Sequence, residues 1–258
     1  MPDRPLHVKS VGKAIRLIDQ LSEVKRPLSL QELSQYAQMP KSTVHGLLAP
    51  LREAGYIEQA SDGKYRLGMR LFELGSVVSA SWNILSVARV YMQNIALQTG
   101  QSVQLSAIDK SELLILDCAD TNRSLRVVTE VGDRLPLHST ASGKALLAFL
   151  PIAQTKALLR AAGMPSLTPH TLSSVEDMEA ALVNVREQGY AVEDGENRIG
   201  LRATAAPIFD ASGAPKYAIG VIGMFRRTSE EDFLSAAALV RDAARAISRE
   251  LGYRGSVS

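Results

Sequence analysis

The sequence is poor in cysteine, histidine and aromatic residues, and these shortages exclude several classes of protein. A single cysteine among 258 residues cannot form an intramolecular disulfide. Cys118 lies in the apolar run LLILDCAD, which predicts a buried strand and an inert thiol. None of the histidines has metal-ligand spacing, so we predict neither a metal site nor another cofactor; they are His7, His45, His138 and His170.

Long hydrophobic runs are absent as well. The run ALLAFL at 145–150 is far too short to cross a bilayer, and the initial MPDRPLHVKS lacks the apolar core of a signal peptide. We therefore expect a cytoplasmic protein without a membrane partner. With 46% hydrophobic residues, a chain of 258 residues can bury a sizeable core and divide into two compact units.

Positive charge is concentrated near the amino terminus, although the net charge is only +2. Residues 1–70 contain 11 Lys and Arg against 7 Asp and Glu, whereas residues 71–258 contain 18 against 20. An excess of this size suits a segment that meets phosphates, and it is also common on ordinary solvated surfaces.

Hydrophobic periodicity in this basic part predicts three helices and a hairpin. The first helix spans 10–23 and has an apolar stripe formed by Val11, Ile15, Ile18 and Leu21. The second spans 28–38, and the third follows after a short turn. The segment YIEQASDGKYRL at 56–67 then shows two strand-like runs around Ser-Asp-Gly, a favourable hairpin turn. This order of elements predicts a winged helix-turn-helix.

Local signals support the two helix starts. Ser29 precedes the second helix and Glu32 follows three residues later, which is the spacing of a capping box. Pro40 suits the first position of the third helix, where its missing N–H costs nothing.

The third helix, in MPKSTVHGLLAPLREAGYI at 39–57, has two different faces. One face is apolar at helical intervals and predicts packing on a core, through Val44, Leu47, Leu48, Leu51 and Ala54. The other face offers groups that hydrogen-bond phosphates or base edges, namely Lys41, Ser42, Thr43 and His45. No carboxylate intrudes before Glu53, and the hairpin adds Lys64 and Arg66. We predict DNA binding; a helical protein-docking module is the alternative.

The segment 27–76, together with GDRLPLHSTASGKALLAFL at 132–150 and GYAVEDGENRIGLRATAAPIFDASG at 189–213, resembles the IclR family of bacterial transcription regulators. The likeness runs in order over almost the whole chain. It implies an α+β protein: a winged helix-turn-helix domain at 1–68, a linker helix at 69–86 and a GAF-like effector-binding domain at 87–258. It also implies homodimers or homotetramers that bind double-stranded DNA, with an inverted-repeat operator expected. The resemblance implies a DNA-contacting role for Lys41, Ser42, Thr43 and His45, and the predicted DNA contacts also include Ser29 and, in the wing, Lys64 and Arg66.

Two residues of the third helix depart from the family pattern. Gly46 stands where the family usually has Arg, and Pro50 stands where it has a helix-compatible residue. Because an interior proline removes a donor and presses on the carbonyl four residues earlier, we expect a kinked or shortened helix in which Gly46 absorbs part of the clash.

The predicted linker helix has an apolar face formed by Leu71, Leu74, Val78 and Trp82. Spacing alone is equally consistent with an intramolecular core and with a subunit contact. The family resemblance implies a dimer contact.

The second half of the chain predicts an antiparallel sheet flanked by helices. One hairpin joins QSVQLSAI to LLILDCAD around 109–112, and another joins RATAAPIFD to KYAIGVIGM around 210–213. LRVVTEV at 125–131 is a further strand candidate. The last helix begins after Ser229, a predicted N-cap.

The stretch HSTASGKALLAFL at 138–150 is the most chemically suggestive part of this half. It lacks the first Gly and the Ser or Thr of a P-loop, and it has Ala141 where a Ser-x-x-Lys nucleophile needs serine. Its small residues run into a helix whose free N–H groups suit an anion, unless its hydroxyls simply cap the helix. The resemblance implies an effector pocket formed by Val127, Leu135, Ala141, Ser142, Glu193, Leu201, Ala203, Gly220 and Ile222.

The function predicted from these features is a ligand-responsive transcription regulator, a repressor rather than an activator. The family often has Cys at Ala203 and Ser at Gly220 and Ile222, so this pocket has lost polar groups and should take an amphipathic carboxylic acid, aromatic or branched. A filled, closed pocket is the alternative. Other readings are a hydrolase that uses His138 with Ser139 or Ser142, and an oligomeric scaffold without DNA.

Overall fold

The computed structural model describes residues 8–80, 83–120, 129–224 and 229–255. Its contacts divide the chain into two compact units, Met1–Trp82 and Asn83–Ser258. No helix within the described ranges is by itself long and apolar enough to cross a bilayer; only Met69–Val78 and Asn83–Thr99 counted together, as a broken span, pass on length and composition.

The first unit is a winged helix-turn-helix followed by one further helix. Its elements are α1 (Lys9–Val24), α2 (Leu30–Tyr36), α3 (Lys41–Glu53), β1 (Ile57–Gln59), β2 (Tyr65–Leu67) and α4 (Met69–Ala80). The strands form the predicted antiparallel hairpin, in which Glu58 pairs with Arg66. The core of this unit includes Leu17, Leu21, Leu33, Val44 and Leu48.

Two details of the helices differ from the sequence predictions. On α1 the side chains of Val11 and Ile15 are 52% and 45% exposed, because Gly12, Leu17 and Leu21 form the buried face instead. Leu21 is buried and Ile18 packs against the core as predicted, so the predicted stripe is right in its second half and wrong in its first. Pro40 is the N-cap residue of α3, one position before the predicted one.

The capping box predicted for α2 is present. The Ser29 hydroxyl accepts the N–H of Glu32, and the Glu32 carboxylate accepts the N–H of Ser29 at 2.8 Å. These two bonds satisfy donors at the helix start that would otherwise lack partners. The N–H and the hydroxyl of Ser29 both donate to the Glu32 carboxylate and hold its pKa at about 2, with the guanidinium of Arg26 as a further cause.

The second unit is a six-stranded sheet with helices on both faces. Its elements are α5 (Asn83–Thr99), β3 (Ser102–Asp109), β4 (Glu112–Ala119), β5 (Arg134–Pro136), α6 (Ala141–Leu147), α7 (Ile152–Ala162), α8 (Val175–Gln188), β6 (Ala191–Asp194), β7 (Leu201–Phe209), β8 (Pro215–Met224) and α9 (Glu230–Glu250). The strand order is β5-β4-β3-β8-β7-β6, and every neighbouring pair is antiparallel.

Both predicted hairpins and the predicted helix start are confirmed. β3 pairs with β4, β7 pairs with β8, and the Ser229 hydroxyl accepts the N–H of Asp232 at the start of α9. Most of the strand candidate LRVVTEV lies outside the described residues.

The two faces of the sheet have separate cores. Residues of α5 and α9 pack on one face with Val103, Leu105 and Val221, among others. Residues of α6 and α8 pack on the other with Leu113, Ala203 and Ala205. The side chains of each strand alternate between these cores, so the sheet's register decides which residues face α6.

Candidate functional site

The amino-terminal half of α3 presents the predicted polar face. Val44 and Leu48 are buried against the first unit's core, which turns Lys41, Ser42 and His45 to the exposed side. Thr43 is half-buried beside them. The first turn contains no acidic residue, so the surface at this end of the helix favours an anionic partner.

The helix continues past Pro50. It runs from Lys41 to Glu53 with Pro50 inside it, so of the two expected outcomes, a kink or a shortening, the shortening is wrong. Pro50 lies in the last turns, where its missing donor removes only the bond to the carbonyl of Gly46. A Cβ at exposed Gly46 would meet no atom within 4 Å outside its own helix backbone.

The remaining predicted DNA contacts already have partners within the protein. The Ser29 hydroxyl is engaged in the capping box of α2. In the wing, Arg66 donates to the carboxylate of Glu58 at 2.9 Å, and the Lys64 ammonium lies 3.3 Å from a carboxylate oxygen of Asp62. The wing is therefore less cationic than its Lys and Arg content indicates.

The apolar face of α4 is not covered by its own unit. Leu74 and Val78 of the predicted face are exposed and Leu71 is half-buried, while Phe72 and Val77 on other sides of the helix are 72% and 71% exposed. Trp82, the fourth member of the predicted stripe, lies outside the described residues. These exposures favour a contact with another chain over an intramolecular core stripe.

In the second unit, one pocket collects the predicted effector residues. It has a volume of about 220 Å³ and lies where α6 meets the sheet. Its lining includes Leu135, Ala141, Ser142, Glu193, Leu201, Ala203, Gly220 and Ile222. Val127 lies outside the described residues.

Further lining residues were missed by the sequence analysis. They are Gln104, Leu113, Thr129, Asp133, Arg134, Thr140, Asn197, Arg198 and Thr204. Eight of the nine, all but Leu113, have polar or charged side chains, so the pocket is more polar than predicted. Gln104 carried an available signal, because it lies between Ser102 and Ser106 in the buried part of β3, where polar residues alternate with apolar ones.

The start of α6 is capped by the protein itself. The Thr140 hydroxyl accepts the N–H of Gly143 at 3.2 Å and donates to the carbonyl of Pro136 at 2.8 Å. The N–H of Ala141 is directed at the carboxylate of Glu193. None of these three interactions uses the N–H of Ser142. A Cβ at residue 143 would lie only 2.1 Å from the carbonyl oxygen of Leu137, so this close crossing needs glycine.

Glu193 is a buried carboxyl inside the pocket. Its side chain is almost fully buried and accepts the N–H of Asn197 at 3.2 Å. Burial raises the pKa of Glu193 to about 7, and the nearby Glu196 carboxylate acts in the same direction. The two backbone N–H groups and the Lys144 ammonium oppose this increase without cancelling it.

Two cations near Glu193 are paired with other carboxylates. Arg202 pairs with Glu230 at 2.6 Å and with Asp194 at 3.5 Å. Lys144 is buried in an ion pair with Glu196. Arg198 is exposed at the pocket, and within the described ranges it has no carboxylate partner.

The residues of the hydrolase alternative do not form a nucleophile and base. His138 is buried, and its Nε2 lies 3.0 Å from the carbonyl of Pro165. The Ser139 hydroxyl donates to the side-chain oxygen of Asn197 at 3.2 Å. Among the described residues, His138 has no hydrogen bond to Ser139 or Ser142, which nucleophile activation requires.

The lone cysteine has the surroundings of an unreactive thiol. Cys118 is half-buried, and burial together with the carboxylates of Asp120, Asp117 and Asp133 raises its pKa to about 11. The thiolate is therefore disfavoured near neutral pH. Across the described part of the chain, no group of three His, Cys, Asp or Glu side chains is arranged to hold a metal ion.

Comparison with known proteins agrees with this geometry. Residues 10–61 match the IclR helix-turn-helix domain, and residues 76–249 match the family described as bacterial transcriptional regulator IclR C-terminal. The HTH-type transcriptional regulator XynR of Escherichia coli is 34% identical over 95% of this chain and 98% of its own length. The transcriptional repressor IclR of the same organism is 31% identical over 95% of this chain and 90% of its own length.

The solved structures show the same architecture. The crystal structure of the Thermotoga maritima IclR superposes with a TM-score of 0.81 at 31% sequence identity, covering 96% of this chain and all of that one. Both units, their order and the sequence likeness over nearly the full length lead to one conclusion: this chain belongs to the IclR family of bacterial transcription regulators.

Proposed function

We propose that this regulator represses transcription and that a small carboxylic acid in the pocket between α6 and the sheet controls its binding to DNA. The observation that supports the pocket is the convergence of residues from β5, α6, β6, β7 and β8 on one cavity of about 220 Å³. The repressor assignment is supported by the E. coli relative that carries this name.

For the DNA interface we propose that the exposed face of α3 enters the major groove. Lys41 and Ser42 would contact phosphates, while Thr43 and His45 would reach base edges. Ser29, Lys64 and Arg66 would contact the backbone from α2 and the wing. One winged helix supplies only one such face, so a homodimer or homotetramer on an inverted-repeat operator is part of the proposal.

For the effector we propose an acid held with its anionic end near Ser142 and Arg198. None of the hydrogen bonds and ion pairs described above uses the Ser142 N–H or the Arg198 guanidinium. Both groups are therefore available to donate to an anion in this part of the pocket. Glu193 repels an anion less than an ordinary carboxylate because its pKa is about 7. The remaining apolar wall, formed by Leu135, Leu201, Ala203 and Ile222, would contact the body of the ligand.

Control of DNA binding requires that the acid bind two arrangements of the domains with different affinities, since equal affinity would change nothing. A chromosomal operator also supports the predicted cytoplasmic location. No step in this scheme uses catalysis or a cofactor.

The proposal is tested by first recovering the genomic fragments that the pure protein retains. A fluorescent duplex of the recovered site then reports DNA affinity in the presence of aromatic, hydroxyaromatic, sugar or short oxo acids. We expect at least one larger acid to change the dissociation constant. Response to glyoxylate or pyruvate alone would contradict the proposed ligand shape, and a protein that retains no specific fragment would contradict the operator.

A further inference from the structure

Polar groups occupy the sheet floor of the pocket next to a glycine. Gln104 on β3 pairs with Gly220 on β8, and Gly220 pairs in turn with Ala205 on β7. Directly paired residues of antiparallel strands project from the same face of a sheet. The Gln104 side chain therefore lies on the pocket face, beside two residues too small to cover it.

The side chain of Gln104 is the first polar group of this floor. The residue is only 4% exposed and lines the pocket, yet within the described ranges its side chain forms no hydrogen bond. Its amide atoms are not fully enclosed by protein, so a hydrogen-bonding partner from outside the chain can reach them through the cavity.

A second unsatisfied group faces the same spot from α6. The Ser142 hydroxyl lies 3.1 Å from the position that a Cβ on residue 220 would occupy. Ser142 is 9% exposed and, as far as the chain is described, its hydroxyl also forms no hydrogen bond. Capping of α6 does not require it, because Thr140 supplies that bond.

Position 220 has no room for a side chain beside the Ser142 hydroxyl. A Cβ there would also lie 3.0 Å from the Thr204 carbonyl oxygen and 3.0 Å from the Ala205 Cβ, which is tighter than ordinary packing. Glycine therefore fits this position, and the pocket is lined here by its backbone together with Gln104 and Ser142. Each of these groups both donates and accepts, as a hydroxyl of a ligand does.

We propose that Gln104 and Ser142 together bind a hydroxyl group of the effector above Gly220, so that the effector is a hydroxylated carboxylic acid. This inference rests on the proposed function of the pocket as an acid site and adds a determinant of specificity to it. An acid with a wholly apolar body would leave both groups desolvated and unpaired. Sites built to hydrogen-bond a ligand group discriminate strongly against the analogue that lacks it.

The test compares matched acids that differ only in hydroxyl groups, by isothermal titration calorimetry on the full-length protein. Gluconate against hexanoate represents sugar acids, and 4-hydroxybenzoate against benzoate represents hydroxyaromatic acids. We expect one hydroxylated acid to bind roughly tenfold or more tightly than its partner. Gln104→Met and, separately, Ser142→Ala should reduce this preference to about twofold or less.

Ser102→Ala is the matched control. Ser102 lies on the same strand, is 3% exposed and has an unpaired hydroxyl, but it does not line the pocket. The Ser102→Ala variant should keep the full preference for the hydroxylated acid. Equal binding of the two members of each pair, or a preference that persists in both pocket variants, would overturn this inference while leaving an acid effector in place. Binding of none of the four acids would overturn the acid effector and this inference with it.

Discussion

Glu58 and Arg66 face each other across the wing, where the Nε and Nη2 of Arg66 donate to the same carboxylate oxygen at 3.0 and 2.9 Å. Both side chains are well exposed. A pair of this kind is stabilised by at most about 1 kcal/mol, so a phosphate can compete for the guanidinium. The wing is thus able to exchange an internal partner for DNA.

Removing the carboxylate should therefore strengthen DNA binding. For Glu58→Gln we expect tighter binding to all duplex sequences and a log–log salt slope that is steeper by up to about one unit, because Arg66 no longer needs to leave a partner. Fluorescence anisotropy at several salt concentrations measures both. Glu187→Gln on α8 makes the same change of charge in the other unit and should have no effect. A slope unchanged by Glu58→Gln would mean that Arg66 does not meet phosphate.

The recognition helix gives a second prediction. Lys41→Ala should weaken binding to every sequence and lower the salt slope by about one unit, since a phosphate contact carries no sequence information. Thr43→Val and His45→Ala should instead change the preferred sequence, at roughly 1 to 3 kcal/mol for each lost base contact. Binding to a library of operator variants separates the two effects. If DNA affinity and sequence preference were unaltered by all three changes, α3 would not be part of the DNA interface.

Glu193 makes stability depend on pH. Its pKa is about 7 in the folded protein against an ordinary value of 4.5, so the folded state keeps a proton that the unfolded state has already lost. The free energy of unfolding should therefore fall as pH rises from about 4.5 to about 7, by on the order of 3 kcal/mol, and then level off.

Urea denaturation of Glu193→Gln between pH 4.5 and 8 tests this dependence. In this variant the free energy of unfolding should no longer fall over this pH range. The stability of the variant relative to the unmodified protein should therefore be higher at pH 8 than at pH 5. Glu187→Gln removes an exposed carboxyl group instead, and this control variant should keep the fall in the free energy of unfolding. Parallel pH profiles of Glu193→Gln and the unmodified protein would show that Glu193 ionises normally.

These predictions rest on sequence and structure in different proportions. The capping box at Ser29, the wing hairpin and both hairpins of the sheet follow from local signals, because each is fixed by residues within a few positions of each other. The buried face of α1 does not, since Val11 and Leu17 are equally apolar and only the packing partner selects between them. The buried face of α1 is therefore selected by tertiary contacts and not by its own sequence.

The pocket shows the same division. Family resemblance placed Ser142 and Gly220 in it, but not Gln104, which joins them only through the register of β3 on β8. The pairing of Arg202 with Glu230, which are far apart in sequence, was equally inaccessible to local signals. Long-range register and ion pairs determine the polarity of the site, and periodicity carries no information about either.

The exposed face of α4 predicts how the chain assembles. Leu74→Glu or Val78→Glu places a charge on this face, so each should weaken oligomerisation and operator affinity together, because specific binding needs two recognition helices. Light scattering and operator titration measure the two quantities. Ser76→Glu places the same charge at an exposed position on the opposite side of the helix and is the control for charge alone. An unmodified protein that is monomeric and still binds one short site tightly would contradict the role of α4.

The last prediction concerns Gly46 and Pro50 in α3. Pro50→Ala restores the N–H that can bond the carbonyl of Gly46, so it should raise the free energy of unfolding by about 1 to 3 kcal/mol. Gly46→Ala should add up to about 1 kcal/mol through helix propensity, and the site has room for the methyl group.

The two changes should not be additive if the glycine relieves the clash with the proline ring. Gly46→Ala would then stabilise less in the presence of Pro50 than in the Pro50→Ala background, and a double-mutant cycle by urea denaturation gives the difference. Ala49→Gly in both backgrounds is the matched control, because its own carbonyl does not meet the ring. Additive effects within about 0.3 kcal/mol would show that the helix accommodates Pro50 without help from Gly46. In that case the departure of these residues from the family pattern would affect DNA contacts directly rather than through the shape of α3.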